Sequence, residues 1–337
     1  MSTIRVELGP DSYDIVISRG VLSRAAEELN LNRKVLVVSD SGVPSQYVQI
    51  VLSQCKQGFS FVFPSGEESK TLKTFEKVLV CMMEHNFSRK DCVVAVGGGV
   101  VGDLAGFASA SYMRGIDFYN IPTTVLSQVD SSIGGKTAVN LDSVKNIVGA
   151  FHQPKKVLID PEVFATLPKR QVSNGLSEAL KMSATFDPEL FDLFLKHDPF
   201  EQIDLVIEKS LLCKKNVVEK DEKEMGLRKV LNFGHTLGHG IESTLLDGSL
   251  YHGECVALGM IPMCAPDVRE KLVRCLEKLE LPTSYAFDEQ KVKQAMGHDK
   301  KADGSKVSAV YVPQVGTFEI REMSLSELYG LLPLIQA

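Results

Sequence analysis

The stretch from residue 92 to residue 103 reads Cys92-Val-Val-Ala-Val-Gly-Gly-Gly-Val-Val-Gly-Asp103. Its unbroken apolar run is typical of a strand buried on both faces, and the glycines permit a tight turn into the helical pattern that follows. A membrane span from Cys92 to Tyr112 is the alternative, with Gly102 and Gly106 in GxxxG spacing. Three consecutive glycines and Asp103 disfavour that span. We therefore predict a strand, a turn and a helix.

The alternation of strand and helix continues on both sides of this stretch. Strand patterns at 34–38, 59–63, 92–96 and 117–121 are separated by helical patterns near 44–55, 71–85 and 100–110, and residues 2–8 and 12–18 have the pattern of a hairpin. Such alternation predicts an α/β fold with a largely parallel sheet covered on both faces.

The second half of the chain has a different pattern. Helical periodicity dominates from about residue 161 to residue 296, and two short β patterns at 306–312 and 317–321 predict a small hairpin. A chain of 337 residues is also long for a single core. We therefore expect an α/β domain at 1–160 and a mainly α-helical domain at 161–337.

Composition narrows the class of partner and the compartment. The formal net charge is −6 and the lysines are scattered, which disfavours a nucleic-acid surface and leaves a small anionic ligand possible. Seven cysteines without a CxxC pair indicate reduced, buried thiols in a cytosolic protein. The N-terminal residues alternate polar and apolar like a strand and lack the apolar core of a signal peptide. We expect a cytoplasmic location.

Two segments of the first half could hold a nucleotide. Gly97, Gly99 and Gly102 satisfy GxGxxG after a predicted strand. The signal is weak because three β patterns precede it, and a steric need for glycine in the turn is the alternative. Upstream, residues 65–70 (Ser-Gly-Glu-Glu-Ser-Lys) offer a carboxylate and an amine for ribose hydroxyls and a phosphate, although a solvated loop with a helix cap explains the spacing equally well.

Residues 122–146 contain further polar candidates. Asp130-Ser-Ser-Ile-Gly-Gly-Lys136-Thr137 nearly matches a Walker A loop, but Asp130 puts a negative charge where that loop needs a glycine, so we reject this interpretation. Lys136 and Lys145, with Asn146, could face a phosphate or a carboxylate. A solvated surface is the alternative.

Three of the seven histidines fall close together in the second half. His235 and His239 are four residues apart and share one helical face, and His252 opens the next apolar helical pattern. With Glu178 from an earlier helical pattern they supply ligands of the kind that zinc takes. Catalytic zinc generally has three protein ligands, so one of the four could be spare and serve as an acid or base. The spacing does not identify which one.

Taken together, these motifs resemble the 3-dehydroquinate synthase family over nearly the whole chain. The resemblance is carried by residues 97–103, 110–115, 121–140, 145–146, 175–181, 231–235 and 252–254. It implies an NAD-binding α/β domain followed by a metal-binding helical domain, and homodimers are usual in the family. It also implies Zn²⁺ or Co²⁺ on Glu178, His235 and His252, which leaves His239 as the acid/base candidate.

The resemblance extends to individual positions. For NAD it implies Asp40, Ser65, Gly66, Glu67, Glu68, Ser69, Lys70, Gly98, Gly99, Val100, Val101, Gly102, Asp103, Thr123, Thr124, Lys136, Lys145, Val163, Phe164, Ala165 and Thr166. For the substrate it implies Arg114, Asp130, Lys136, Lys145, Asn146, Lys214, Arg228, Asn232 and one or both of Lys300 and Lys301, with catalytic roles for His239, Lys181, Glu224 and Lys136.

The activity implied is the conversion of 3-deoxy-D-arabino-heptulosonate 7-phosphate to 3-dehydroquinate and phosphate, with NAD⁺ regenerated in each turnover. Two enzyme alternatives share the architecture: a zinc-dependent polyol or glycerol-phosphate dehydrogenase, which would release NADH, and another sugar phosphate cyclase. A metal-storing or non-catalytic NAD-binding module is the alternative from another class. The number of polar and cationic residues beside the metal candidates disfavours it.

Overall fold

The computed structural model describes residues 1–142, 144–245, 248–298 and 306–337. The chain divides into two compact units, Met1–Leu167 (unit 1) and Pro168–Ala337 (unit 2). The boundary between these two units lies after Leu167. The 3₁₀ turn Pro161–Thr166 belongs to unit 1 because its Val163 is buried in a core cluster of the large sheet.

The described residues of unit 1 form nine strands, seven of which belong to one large sheet. Its strands are β1 (Ser2–Val6), β2 (Tyr13–Ile17), β3 (Lys34–Asp40), β4 (Gln57–Phe63), β5 (Cys92–Gly97), β6 (Asp117–Pro122), β7 (Lys136–Leu141), β8 (Val144–Phe151) and β9 (Lys156–Ile159), and its helices are α1 (Ala25–Glu28), α2 (Ser45–Leu52), α3 (Leu72–Glu84) and α4 (Gly99–Ser111). Seven strands pair in the order β1-β2-β9-β6-β5-β3-β4. All of these pairs are parallel except β1 with β2. The predicted parallel-dominated α/β fold is confirmed.

Helices cover both faces of this sheet because successive side chains of a strand point to opposite sides. In β3, Val35 and Val37 belong to a core cluster that includes Val48 of α2. The intervening Leu36 belongs to a second cluster that includes Leu104 of α4. Burial on both faces explains why the central strands are continuous apolar runs. The stretch Cys92–Tyr112 accordingly forms β5 and α4.

The hairpin of β7 and β8 was not predicted. The two strands pair antiparallel, with an irregularity between Val139 and Leu141. In β7 only Thr137 and Val139 are buried, and no described residue of β8 is. Because so few side chains face a core, the apolar residues of the hairpin do not alternate regularly with polar ones.

Unit 2 is mainly helical, as predicted. It contains α5 (Lys169–Phe186), α6 (Pro188–Lys196), α7 (Ile203–Val218), α8 (His235–Glu242), α9 (His252–Met260), α10 (Pro266–Lys278), α11 (Glu289–His298) and α12 (Leu325–Tyr329), together with β10 (Lys306–Tyr311) and β11 (Glu319–Ser324). The two strands pair antiparallel, which confirms the small late hairpin. Helix α5 is central, since every residue from Val172 to Thr185 is buried.

Two further sequence-based expectations concern membranes and thiols. Within the described ranges, no helix combines the length and apolar character needed to cross a bilayer. All seven cysteines are free thiols, five of them buried and two, Cys55 and Cys81, half-buried. Burial raises the pKa of Cys92, Cys213, Cys264 and Cys275 to about 12, so these thiols are protonated at neutral pH.

Candidate active site

Three helices of unit 2 bring a carboxylate and two imidazoles together. Glu178 lies on α5, and His235 and His252 are the first residues of α8 and α9. Oε1 of Glu178 is 3.8 Å from Nε2 of His235 and 3.6 Å from Nε2 of His252. Two ligands of a tetrahedral zinc, each about 2.1 Å from the ion, lie roughly 3.4 Å apart. The spacing therefore suits a shared divalent ion.

The hydrogen bonds around these groups also fit a metal. Oε1 of Glu178 is buried and has no hydrogen-bond partner in the described part of the chain, so an unsatisfied oxygen faces the two rings. His235 uses Nδ1 toward the backbone oxygen of Phe233 at 3.2 Å, and His252 uses Nδ1 toward Oε2 of Glu242 at 3.0 Å. A ring that donates from Nδ1 keeps the lone pair on Nε2 for a ligand.

Charge is distributed unevenly in this cluster. Burial opposes the charge on Glu178, but Lys181 and the nearby histidines outweigh it and hold the pKa of that carboxyl well below its usual range. Burial and the ammonium of Lys181 hold the pKa of His235 well below its usual range, so its ring is neutral. Burial also opposes the charge on His252, but Glu178 and Glu242 raise its pKa to about 9. Glu178 and His235 are thus in the forms that bind a metal, whereas His252 is protonated at neutral pH in the metal-free protein and would release a proton on binding.

Lys181 lies one helical turn after Glu178 on α5. Its ammonium donates to Oε2 of Glu178, and the two side chains are 2% and 1% exposed. The pair occupies one carboxylate oxygen and leaves the other toward the histidines.

His239 is the fourth member of the predicted cluster and lies one turn after His235 on α8. It is exposed, and its ring centre is 5.0 Å from that of His235 and 5.6 Å from that of His252. The ligand atoms of the three histidines lie within 4.8 Å of one another. Geometry therefore allows a three-histidine set as well as the set with Glu178. The unsatisfied buried oxygen of Glu178 favours the second.

A set of hydrogen bonds fixes the start of α9 against α5. Arg170 donates to both carboxylate oxygens of Glu254, at 2.7 and 2.8 Å. The backbone N–H of Gly253 donates to Oδ1 of Asn174 at 2.7 Å, and the hydroxyl of Ser177 donates to the backbone oxygen of Gly253 at 2.7 Å. Because Glu178 and His252 lie beside these bonds in the sequence, the bonds set the distance between two candidate ligands.

Gly253→Ala should disturb this attachment. A Cβ at Gly253 would overlap the backbone oxygen of Asn174 and come within 2.8 Å of its Oδ1. Overpacking of this kind costs about 1–3 kcal/mol, and a shift of α9 would move His252 away from Glu178. We expect a lower melting temperature and weaker zinc binding. Gly297→Ala is the control, since its Cβ would make only an ordinary contact at 3.6 Å. Equal behaviour of the two variants would contradict the prediction.

Helix α7 and the segment between α7 and α8 hold several candidate substrate residues. Lys214 on α7 and Arg228 are buried, with 7% and 2% exposed, and Arg228 donates to the backbone oxygen of Glu222. The side-chain amide of Asn232 donates to Glu224 at 3.2 Å. The carboxylate of Asp221 accepts three backbone N–H groups, which hold its pKa below the usual range and fold the segment. Lys300 and Lys301 lie outside the described residues.

In unit 1 the predicted glycine turn connects β5 to α4. Gly98 precedes the helix and Gly99 is its first residue, so the N–H groups of the first turn are free of helical partners. A Cβ at Gly98 would be 3.2 Å from the methyl group of Thr124. The backbone N–H of Thr123 donates to Gly97 at 2.9 Å. The structure therefore brings the glycine turn and the two predicted threonines together.

A polar network connects other candidate residues of unit 1. Nζ of Lys70 donates to Asp103 and to the side-chain oxygen of Asn146, both at 2.5 Å. Asn140 donates from its side chain to Glu67 at 2.8 Å and accepts the backbone N–H of Asn146 at 2.8 Å. Candidate cofactor residues and a candidate substrate residue therefore share one network through the unpredicted hairpin.

The other candidates of unit 1 lie on several elements. Asp40 ends β3 and lines a cleft of about 420 Å³. Thr166 contacts the hydroxyl of Tyr47 at 3.2 Å, next to Val163, Phe164 and Ala165 in one 3₁₀ turn. Arg114 follows α4 with a φ of +68°, Asp130 lies in the π-helical turn Ser127–Ser131, and Lys136 and Lys145 are exposed on the β7–β8 hairpin.

Comparison with known proteins identifies the family. A family model described as "3-dehydroquinate synthase N-terminal" matches residues 60–174, and one described as "3-dehydroquinate synthase C-terminal" matches residues 175–302. A 3-dehydroquinate synthase of Streptococcus pneumoniae (strain ATCC 700669 / Spain 23F-1) is 42% identical, with 98% of this chain and 99% of that protein covered. This chain belongs to the 3-dehydroquinate synthase family. The resemblance inferred from the motifs is confirmed.

Solved structures of related cyclases have the same fold. A 2-deoxy-scyllo-inosose synthase complexed with carbaglucose-6-phosphate, NAD⁺ and Co²⁺ is 25% identical, with a TM-score of 0.90 over 98% of this chain and 99% of that one. A 2-epi-5-epi-valiolone synthase from Streptomyces hygroscopicus subsp. jinggangensis 5008, with NAD⁺ and Zn²⁺ bound, is 26% identical, with a TM-score of 0.88 over 98% and 97%. The dehydroquinate synthase-like fold of both units is therefore shown.

Two side chains that contact candidate residues, Glu242 and Asn140, were not predicted from the sequence. Glu242 follows His239 by three residues, so helical spacing alone could have placed it on the same face of α8. Asn140 ends the longest motif of the resemblance, but its partners Glu67 and Asn146 come from separate elements. No short-range pattern points to that contact.

Proposed function

We propose that the protein converts 3-deoxy-D-arabino-heptulosonate 7-phosphate to 3-dehydroquinate and inorganic phosphate, using NAD and a divalent ion, Zn²⁺ or Co²⁺. The reaction comprises a transient oxidation at one carbinol, elimination of phosphate, reduction, ring opening and intramolecular aldol closure. NAD⁺ is regenerated, so the net products are the carbocycle and phosphate.

The observation that carries this proposal is the convergence of Glu178, His235 and His252 in a member of this family. Oε1 of Glu178 supplies an anionic oxygen, and Nε2 of His235 and Nε2 of His252, once that ring has released its proton, supply two nitrogens. That donor set suits Zn²⁺ or Co²⁺ and leaves one tetrahedral position for a substrate oxygen. When bound, the ion supplies Lewis-acid polarisation of a carbon–oxygen bond, and NAD⁺ supplies a reversible hydride acceptor.

The cationic residues of unit 2 suit a substrate with two anionic groups. Lys214 and Arg228 are buried, and a cationic side chain attracts a phosphate or carboxylate more strongly in such an environment than in water. We assign these two side chains and Asn232 to substrate binding, with the loop fold maintained by Asp221. Lys300 and Lys301 are assigned to the same role from the family resemblance alone.

We assign acid–base catalysis to groups around the candidate metal ligands. His239 is exposed beside the ligand set, which allows its imidazole to exchange a proton with the substrate. Lys181 fixes Glu178 as an ionised ligand and places an ammonium where it stabilises a developing oxyanion. Glu224 and Lys136 complete the proposed catalytic set. Glu224 also orients Asn232 through their hydrogen bond.

The cofactor is assigned to unit 1. The helix N-terminus at Gly98 and Gly99 suits a pyrophosphate because its N–H groups carry partial positive charge. We assign Asp40, in its cleft at the end of β3, to a ribose hydroxyl. The remaining candidates in residues 65–70, 100–103, 123–124 and 163–166, together with Lys136 and Lys145, line the same proposed NAD site. Arg114, Asp130, Lys136, Lys145 and Asn146 are assigned to the substrate.

We also propose that the protein is a cytoplasmic homodimer, that the α/β domain binds NAD and that the helical domain binds the metal and the substrate. Apolar side chains of the β7–β8 hairpin are 43–61% exposed at Leu141, Val144, Ile147 and Phe151, which supports a protein contact there. Free, largely buried thiols support a reducing compartment. Sedimentation equilibrium would report twice the chain mass, and a monomer at micromolar concentration would refute the dimer.

The decisive experiment is anaerobic turnover of the heptulosonate phosphate by the purified protein with NAD⁺ and Zn²⁺. We expect phosphate and 3-dehydroquinate in equal amounts, without net NADH. A metal chelator should abolish turnover, and added Zn²⁺ or Co²⁺ should restore it. Accumulation of one NADH per turnover would support the polyol or glycerol-phosphate dehydrogenase instead. Phosphate release with a different carbocyclic product would indicate another sugar phosphate cyclase.

A further inference from the structure

Helices α8 and α9 approach closely because glycines lie between them. A Cβ on Gly259, near the end of α9, would overlap the backbone oxygen of Gly234, which immediately precedes α8. At the opposite end of the pair, Glu242 is the last residue of α8 and lies against His252, the first residue of α9. Close antiparallel packing therefore places the carboxylate of Glu242 next to the imidazole of His252.

The bond between these two side chains determines how the ring is presented. Oε2 of Glu242 accepts the Nδ1 hydrogen bond of His252 at 3.0 Å, while Nε2 lies 3.6 Å from Oε1 of Glu178. The bond at Nδ1 fixes the ring plane and leaves Nε2 as the ring nitrogen that can bind an ion. The side chain of Glu242 is 19% exposed, so water competes weakly for the carboxylate.

We propose that Glu242 is a positioning residue of the metal centre, which holds Nε2 of His252 toward the ion. This inference rests on the ligand set proposed above. A carboxylate that accepts the second N–H of a ligand histidine orients the ring and raises its basicity. Its loss typically weakens metal binding by about 10–100-fold.

The test measures Zn²⁺ and Co²⁺ affinity of the metal-stripped full chain by competition with a chromophoric chelator. We expect Glu242→Ala to bind both ions about 10–100-fold more weakly than the wild type. The affinity of Glu242→Gln should lie between those of Glu242→Ala and the wild type, since its amide oxygen still accepts a hydrogen bond but carries no charge. Glu270→Ala, an exposed position on α10, removes the same charge and should leave affinity unchanged. His252→Ala serves as the reference for a lost ligand.

The outcomes separate this inference from the proposed ligand set. Wild-type affinity in Glu242→Gln and Glu242→Ala, with weakened binding in His252→Ala, overturns the positioning role alone. Wild-type affinity in His252→Ala, or no binding of either ion by the wild type, overturns the ligand set and the inference together. Circular dichroism monitors folding, and Glu242→Gln, which preserves the side-chain volume, decides the question if Glu242→Ala does not fold.

Discussion

Lys181→Met is expected to destabilise metal-free α5 by about 3–5 kcal/mol. The variant leaves the carboxylate of Glu178, whose side chain is 1% exposed, without the ammonium that neutralises it. Lys181 is the largest of the attractions that offset the desolvation of this carboxylate, and a buried charge that loses such a partner is strongly destabilising. Hydrogen exchange of the α5 amides in the full chain, with a chelator present, measures this loss as a reduced opening free energy.

A double variant isolates the cause of that effect. Glu178→Gln combined with Lys181→Met removes both charges at similar volume, and replacing a buried ion pair by neutral groups is often nearly neutral for stability. We therefore expect the double variant to recover most of the lost protection but not the metal or the activity. Equal protection in the single and double variants would show that the unpaired carboxylate is not what destabilises α5.

The fold was predictable where burial leaves a local pattern. The central strands are apolar on both faces, so β3 and β5 were recognisable from short windows of sequence. The β7–β8 hairpin was not, because β8 buries no described residue and its position depends on contacts with other elements. Periodicity reports the burial of a segment, and it says little about segments that are held by a few distant contacts.

The candidate site was predictable in part for the same reason. Helical spacing placed His235 and His239 on one face, but the joining of Glu178 to His252 depends on packing of α5 against α9. That packing rests on contacts such as Arg170 with Glu254, which are 84 residues apart in the chain. Residue type and spacing therefore proposed Glu178 and the three histidines, the family resemblance divided them into ligands and an acid–base candidate, and only the structure related them by distance.

His239→Ala is expected to reduce turnover by about 10²–10⁴-fold, the usual range for a lost general acid–base group. Metal content should stay near that of the wild type, because the proposed ligands Glu178, His235 and His252 are intact. Loss of the metal would contradict this prediction, and the three histidines alone do lie close enough to share an ion. Metal analysis of the purified variant, together with its kcat at saturating Zn²⁺, measures both quantities.

Two further variants make the result specific to His239. His197→Ala removes an exposed histidine at the end of α6 and should leave metal and turnover unchanged. His252→Ala should lose both, because it removes a proposed ligand. If His239→Ala also loses its metal, the ion is held by the three histidines. The buried oxygen of Glu178 would then need another partner, and the division of labour between ligand and acid–base group proposed for α8 would be wrong.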